Sequence, residues 1–252
     1  MITGPSGIDA NPDPFARHPE LRDRIADPLT SYFRSFKVED LVRELSVRGM
    51  RPDMIDPEDV REASRTVALR DRSGQDLWVF AYGSLMWDPA LRFAEVRRAF
   101  APEHERRFIF VDVSGWRGTP ESPGVMAALD RGAGCEGLAF RIAADLVEEE
   151  SHHLWRREKL GPVYTAAHIE IFIDGAPVSA LTFLADYAAD AIHPDLGYAD
   201  QVRYAANGAG YYGSSFDYVE NISRQFEALG IEDAHVSALL RDARACRDRQ
   251  PE

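Results

Sequence analysis

Leu77-Trp78-Val79-Phe80-Ala81-Tyr82-Gly83-Ser84 is the most informative stretch of this 252-residue chain. Six apolar or aromatic residues follow one another without a break and then meet a Gly-Ser pair. A short continuous apolar run predicts a buried strand, and the Gly-Ser pair predicts the turn that ends it. Such a turn exposes successive backbone N–H groups that can bind an anion, although turn residues recur at every strand end. The stretch is therefore both a strand and a candidate binding site.

The sequence after this strand predicts more strands than helices. Strand patterns cover 107–113, 124–129, 135–142, 164–173 and 178–184. The turn signal Asp174-Gly175-Ala176-Pro177 makes the last two a predicted hairpin. One helix, 145–158, interrupts the strands, and helices 198–206, 216–229 and 233–247 close the chain. Because most strands lack a following helix, a doubly wound parallel sheet is excluded, and we expect an α+β fold with a small mixed β-barrel and helices outside.

Residues 1–76 have a different character and are predicted to be an N-terminal arm and helical extension, with the main domain at 77–252. Residues 1–16 are rich in Gly and Pro, which indicates a loose arm. Helix-like patterns follow at 19–33, 38–47 and 57–69. The third opens with Asp56-Pro57-Glu58-Asp59, a cap, a proline and two acids. We expect these short helices to pack on the barrel, because their few apolar stripes cannot close a core alone.

The charge balance excludes some classes of partner. Lys and Arg number 29 against 42 Asp and Glu, a formal net charge of -13. Nucleic acids and anionic membrane surfaces are recognised by clustered basic residues, so neither is expected as a partner. A small-molecule substrate is expected instead, and the oligomeric state stays open.

The cysteines and histidines indicate neither a disulfide framework nor a metal site. Cys135 and Cys246 lie far apart without a CxxC partner, and none of the seven histidines forms an HxxxH or HExxH motif.

No apolar run approaches the ~18–20 residues of a membrane helix, and residues 1–7 lack the pattern of a signal peptide. We therefore expect a cytoplasmic protein.

Glu158 is the strongest candidate for a catalytic group. On the predicted helix, Val147, Leu154 and Glu158 stand seven and then four residues apart, so Glu158 lies at the end of the apolar face. Loss of solvation raises the pKa of a carboxylate, which suits a base that must later return its proton. A surface glutamate paired with one of its basic neighbours is an equally open interpretation.

The segment Asn207-Gly208-Ala209-Gly210-Tyr211-Tyr212-Gly213 matches GxGxxG only formally. It follows a helical pattern instead of a strand, and no acidic residue follows at the right place in a βαβ unit. We interpret Asn207-Gly208 as a helix C-cap and the remainder as a loop. Dinucleotide binding is excluded.

Taken in order, several segments resemble the ChaC-like gamma-glutamylcyclotransferases, in particular the glutathione-specific type. The resemblance spans roughly residues 77 to 241. It is carried by Phe80-Ala81-Tyr82-Gly83-Ser84-Leu85-Met86-Trp87-Asp88-Pro89, by Arg117-Gly118-Thr119-Pro120, by Gly137-Leu138-Ala139-Phe140-Arg141, by Arg157-Glu158 with Tyr164, and by Gly213-Ser214-Ser215-Phe216-Asp217-Tyr218. Two positions depart from the family pattern. Trp116 stands where a histidine is frequent, and Ser214-Ser215-Phe216 replaces Gly-Thr-Asn.

The resemblance implies a reaction and a set of roles. The substrate's own alpha-amine attacks its gamma-carbonyl, which releases 5-oxoproline and an amine, Cys-Gly if the substrate is glutathione. Glu158 would be the catalytic acid and base, and no cofactor or metal would be needed. The expected substrate-binding residues are Tyr82, Gly83, Ser84, Leu85, Tyr164 and Arg117.

Three alternatives stay open. The scaffold could serve as a non-catalytic small-ligand sensor with the N-terminal helices as its output. A serine hydrolase centred on Ser84 would need a histidine that the sequence does not assign. A cyclotransferase could also act on another gamma-glutamyl amide, because the two departures fall at the expected substrate rim.

Overall fold

The computed structural model describes residues 13–47 and 55–249 and confirms the predicted α+β fold with a small mixed barrel. The strands are β1 (Leu77–Ala81), β2 (Glu95–Ala101), β3 (His104–Asp112), β4 (Gly124–Arg131), β5 (Cys135–Ile142), β6 (Tyr164–Ile173), β7 (Ala176–Ala185), β8 (Ala209–Gly210) and β9 (Gly213–Ser214). The helices are α1 (Tyr32–Ser35), α2 (Val38–Val47), α3 (Glu58–Ala68), α4 (Val147–Glu158), α5 (Tyr198–Asn207), α6 (Ser215–Leu229) and α7 (Ala234–Asp248).

Five strands close the barrel in the order β1-β5-β2-β6-β7, and β7 pairs back onto β1. The closing pair is parallel, with Val79 opposite Leu181, whereas the other pairs around the ring are antiparallel. β3 and β4 form an antiparallel hairpin outside the ring, and β4 joins β7 through a parallel bridge. Closure leaves few free strand edges, and it places the end of β1 beside both β5 and β7.

The predicted hairpin is confirmed as β6 and β7, with Ile173 opposite Ala176. Its turn is shorter than the four-residue signal. Asp174 and Gly175 alone make the bend, with φ of 50° and 79°. Positive φ at both central residues is the arrangement that matches the twist of two antiparallel strands.

One element prediction is wrong, and one strand of the barrel was not predicted. β2 was not predicted, because Arg97 and Arg98 stand side by side and break the apolar alternation, although Val96 and Ala99 are buried in the barrel. The predicted helix 19–33 is instead a 3-10 turn, Pro19–Leu21, followed by turns up to α1. Pro28 disfavours helical backbone at the residue before it, and the Asp27 side chain accepts the N–H of Leu29 to form a turn.

The N-terminal elements pack against the barrel and its helices. Leu21 and Ile25 belong to the main core, with 0% and 7% of their surfaces exposed. A separate small cluster forms around Phe36 and Leu41, and Leu160 at the end of α4 packs against it. Most of the predicted loose arm, 1–16, lies outside the described residues. The division into 1–76 and 77–252 therefore stays a prediction.

None of the helices described combines the length and apolarity needed to cross a bilayer.

Candidate functional site

The turn after β1 begins the site. β1 ends at Ala81, and Ser84–Met86 form a single 3-10 turn. The turn's own hydrogen bonds run from Met86 N–H to Gly83 O at 2.9 Å and from Trp87 N–H to Ser84 O at 3.2 Å. The N–H groups of Ser84 and Leu85 take part in neither of these two hydrogen bonds. A Cβ at Gly83 would lie 2.6 Å from the hydroxyl oxygen of Tyr218, so any larger residue there would force Tyr218 to move.

The structure brings six of the seven predicted site residues around one cavity of about 30 Å³. The lining residues are Tyr82, Gly83, Ser84, Leu85, Ala127, Glu158, Tyr164, Phe183 and Tyr218. They come from the turn after β1, from the strands β4, β6 and β7, from the last residue of α4 and from the first turn of α6. A cavity of this size has room for about one water molecule.

Glu158 is the last residue of α4, and its side chain is 15% exposed. Burial raises the pKa of Glu158 above its usual range, while the charge of Arg157 and a hydrogen bond from it oppose the rise. The Arg157 Nε lies 2.9 Å from Glu158 Oε1. The sequence left two interpretations of Glu158 open, a desolvated base and a glutamate paired with a basic neighbour. The structure has features of both, because the carboxylate lines the cavity and is also ion-paired with Arg157.

Arg157 is a site residue that sequence reasoning missed. Its Nη2 donates to Ser84 Oγ at 3.0 Å and its Nη1 donates to the Asp88 carbonyl, so the guanidinium bridges the turn and Glu158. Phe33 covers it, with the guanidinium carbon 4.1 Å from the ring centroid. The only sequence signal was its place in the Arg157-Glu158 pair of the family resemblance.

Three tyrosines surround Glu158. Tyr82 donates its hydroxyl proton to the Phe183 carbonyl at 2.8 Å, and Tyr164 donates to the Ala127 carbonyl at 3.3 Å. Burial raises the pKa of both well above the usual value and the pKa of Tyr218 to about 12. All three therefore remain neutral donors near pH 7. Tyr218 was quoted in the resemblance but not singled out as a site residue.

Arg117 does not line the cavity. It lies one layer out, with its guanidinium carbon 5.0 Å from the Tyr218 ring centroid and Nη1 donating to Ser214 O at 3.1 Å. The buried Asp112 orders its loop by accepting the N–H groups of Arg117 and Gly118. Burial lowers the pKa of Arg117.

The glycines of 207–213 have a packing role that accounts for the formal match to GxGxxG. A Cβ at Gly208 would lie 2.4 Å from the Gly124 Cα and 2.8 Å from the Arg117 carbonyl oxygen. A Cβ at Gly210 would lie 2.3 Å from the Gly115 carbonyl oxygen. The glycines let three backbone segments pack closely behind Arg117.

An aromatic stack links the N-terminal extension to the site. Trp116 stacks on Tyr212 at 4.7 Å and 14°, and Tyr212 stacks on Phe33 at 5.4 Å and 22°. Phe33 in turn covers Arg157. Trp116, which stands where the family frequently has a histidine, therefore contacts Tyr212 and through it Phe33. Neither residue was predicted to approach the site.

In residues 13–47 and 55–249 no group of three acidic, histidine or cysteine side chains is placed to hold a metal ion. The cavity lining contains no histidine, and the Ser84 hydroxyl accepts a hydrogen bond from an arginine. The lining of the cavity therefore offers Ser84 no histidine to act as the base of a serine hydrolase.

Comparison with known proteins identifies the family. The model of the ChaC-like protein family matches residues 77–245, about two thirds of the chain. The glutathione-specific gamma-glutamylcyclotransferase of Escherichia coli K12 is 31% identical over 176 residues, which cover 69% of this chain and 75% of that protein. Human glutathione-specific gamma-glutamylcyclotransferase 1 is 29% identical over 178 residues, covering 68% and 79%.

A crystal structure of a yeast gamma-glutamyl cyclotransferase specific to glutathione has the same fold. Its TM-score is 0.64 at 17% sequence identity, and the match covers 70% of this chain and 99% of the yeast chain. The family model, the relatives and the barrel agree, and the chain belongs to the ChaC-like family of gamma-glutamylcyclotransferases.

Proposed function

We propose that this chain cleaves glutathione to 5-oxoproline and Cys-Gly, with Glu158 moving the proton. One observation carries the proposal. In a chain of this family, a buried carboxylate with a raised pKa lines the same cavity as the Tyr82–Leu85 turn. Relatives that are named glutathione-specific support glutathione as the substrate.

The reaction needs one proton to move. The substrate's alpha-amine nitrogen forms a bond to the gamma-carbonyl carbon, and the amide C–N bond then breaks. Glu158 takes a proton from the amine and gives it to the departing nitrogen, so the carboxylate is regenerated. A base with a raised pKa suits both transfers better than a fully solvated glutamate would.

The rest of the site orients the substrate. Bringing the amine and the carbonyl together within one molecule is an orientation effect that can supply much of the rate enhancement. The N–H groups of Gly83, Ser84 and Leu85 would hold the substrate alpha-carboxylate or the developing oxyanion. Tyr82 and Tyr164 would form walls of the pocket. Arg117, which lies behind Tyr218, would attract a substrate carboxylate through its positive charge without contacting it.

A gamma-glutamyl group is larger than the 30 Å³ of free space beside Glu158. We therefore expect substrate binding to displace side chains that line the cavity. The incoming amine would share the Glu158 carboxylate with Arg157, whose Nε lies 2.9 Å from Oε1.

We propose the cytoplasm as the site of the reaction, because the sequence has only two cysteines, far apart and without a CxxC partner.

The test is direct. Incubation of the purified chain with glutathione should release 5-oxoproline and Cys-Gly in equal amounts. A panel of other gamma-glutamyl amides run in parallel identifies the preferred substrate. Absence of 5-oxoproline from every one of them would refute the proposal and favour a binding role.

A further inference from the structure

Arg106 is a buried arginine held on all sides. Its side chain is 1% exposed, and it lies on β3, outside the barrel ring. Nε donates to the Tyr82 carbonyl at 2.6 Å, Nη2 donates to the Glu136 carbonyl at 2.6 Å, and Nη1 lies 2.9 Å from Asp233 Oδ2. The guanidinium carbon stands 4.6 Å from the Phe226 ring centroid. One side chain thus ties together β1, β5, α6 and α7.

The Tyr82 carbonyl is the first one past the end of β1. The ladder between β1 and β5 stops at Ala81 opposite Leu138, so neither strand supplies the next hydrogen bond through that ladder. Arg106 takes the place of a strand neighbour at this carbonyl. It does so with a charged donor, which makes a stronger bond than a backbone N–H.

The same peptide unit carries the N–H of Gly83. The described backbone contains no cis peptide bond, and a trans peptide directs its C=O and N–H to opposite sides. Because the Tyr82 oxygen points to Arg106, the Gly83 N–H points away from it, and Gly83 lines the Glu158 cavity. A charged hydrogen bond to the carbonyl also polarises the peptide and strengthens its N–H as a donor.

We propose that Arg106 is a positioning residue, which acts through the Tyr82–Gly83 peptide and aims the Gly83 N–H at the substrate. The inference rests on the proposed function, in which the Gly83 N–H donates a hydrogen bond to a substrate oxygen. Arginine suits this position and lysine does not. The planar guanidinium of Arg106 reaches the Tyr82 carbonyl, the Glu136 carbonyl and Asp233 at once, whereas the ammonium group of a lysine could not reach all three.

The test compares Arg106→Lys with Arg107→Lys. Arg107 is the next residue on β3 and also donates to one carboxylate and one carbonyl, Asp130 and Pro194, but it makes no contact with the turn. Arg106→Lys should lower kcat/KM for glutathione about 10- to 100-fold, the size expected for a lost charged hydrogen bond. Arg107→Lys should stay within about twofold of the natural protein.

Two further readouts separate positioning from general damage. The backbone amide resonance of Gly83, followed by NMR in glycine-labelled protein, should shift in Arg106→Lys and not in Arg107→Lys. The acidic limb of the pH profile, which reports Glu158, should stay where it is. Asp233→Asn loosens the same guanidinium, and its remaining oxygen can still cap α7 through the Val236 N–H, so it serves if Arg106→Lys does not fold.

The proposal is overturned if the foldable variant leaves the Gly83 resonance unmoved, or if its kcat/KM matches that of Arg107→Lys. The NMR measurement needs no turnover. A natural protein inactive on all gamma-glutamyl amides would therefore overturn the proposed function, while active variants with an unmoved Gly83 would overturn this inference alone.

Discussion

Glu158 is the residue on which the proposed chemistry depends. Glu158→Gln keeps the size and one hydrogen-bond acceptor but cannot take a proton. General acid–base groups contribute roughly 10²- to 10⁴-fold, and we expect a loss at the upper end because one group serves both transfers. Binding of glutathione, measured by calorimetry, should change little.

Ser84→Ala is the matched comparison for Glu158→Gln. The Ser84 hydroxyl accepts one hydrogen bond from Arg157, and the turn is proposed to act through backbone N–H groups. We therefore expect a much smaller loss of kcat. An inactive Ser84→Ala beside an active Glu158→Gln would establish a serine mechanism instead.

Arg157 sets the pH at which Glu158 can act. Burial raises the pKa of Glu158 and Arg157 lowers it, so removal of the Arg157 charge should raise that pKa further. Because the base must be deprotonated, the acidic limb of the kcat/KM profile should move to higher pH in Arg157→Gln. Arg156→Gln is the control, since Arg156 donates to the Arg34 carbonyl on the N-terminal side. A limb that stays or moves to lower pH in Arg157→Gln would contradict this account.

At the scale of elements, close packing of backbone behind the site depends on single glycines. Gly197 and Gly208 flank α5 with similar backbone angles, φ of -65° and -63°. A Cβ at Gly208 would lie 2.4 Å from the Gly124 Cα, whereas a Cβ at Gly197 would have no neighbour within 4 Å. The two positions therefore differ in crowding and not in conformation.

Gly208→Ala should consequently destabilise the protein by about 1–3 kcal/mol, the usual cost of forcing an extra carbon into a packed region. It should also lower kcat/KM, because Gly208 packs against the loop that carries Arg117. Gly197→Ala should leave kcat/KM unchanged and cost less stability than Gly208→Ala, because its only effect is a poorer N-cap for α5. Urea unfolding and glutathione turnover of both variants measure this. Equal stabilities would show that the three backbone segments can move apart at little cost.

The elements show which parts of the fold a sequence can predict. β1 was predictable because its apolar residues are consecutive, and α4 because its apolar positions repeat at helical spacing. β2 was not, because Arg97 and Arg98 interrupt its apolar alternation and are paired with Glu95, Asp174 and Glu136. That compensation depends on residues far along the chain, which a local pattern does not contain.

The same distinction holds for the site. Glu158 and the turn after β1 could be found from local spacing and the family resemblance. The bridge from Arg157 to Ser84 and the cover by Phe33 join residues 73 and more than 100 positions apart. Only the folded chain brings them together, so the sequence predicted the candidate base but not the contacts that hold its carboxylate in the cavity.

At the scale of the whole molecule, one buried ion pair joins the N-terminal extension to α4. The Glu150 side chain is fully buried and accepts from Arg34 Nη1 and Nη2 at 2.6 and 2.9 Å. It also accepts from the backbone N–H and Nε of Arg92 at 3.0 and 2.6 Å. Burial by itself would raise the pKa of Glu150, but these hydrogen bonds outweigh it and hold the pKa below the usual value.

Glu150→Gln should therefore cost about 3–5 kcal/mol of unfolding free energy, because it removes the buried charge that Arg34 and Arg92 share and leaves them only the exposed Glu149 as a charged partner. Glu149→Gln is the matched control. Glu149 also pairs with Arg34 and Arg92, but its side chain is 55% exposed, so its loss should cost no more than about 1 kcal/mol.

The stabilisation that Glu150 contributes is present above the unfolded pKa of about 4.3 and disappears as pH falls through the lowered folded pKa. The stability difference between the natural protein and Glu150→Gln, followed by urea unfolding, should accordingly be full at pH 7 and shrink below about pH 4. Equal unfolding midpoints for Glu150→Gln and Glu149→Gln at pH 7 would mean that the extension docks without help from this pair, and that the packing of Leu21 and Ile25 into the main core holds it in place.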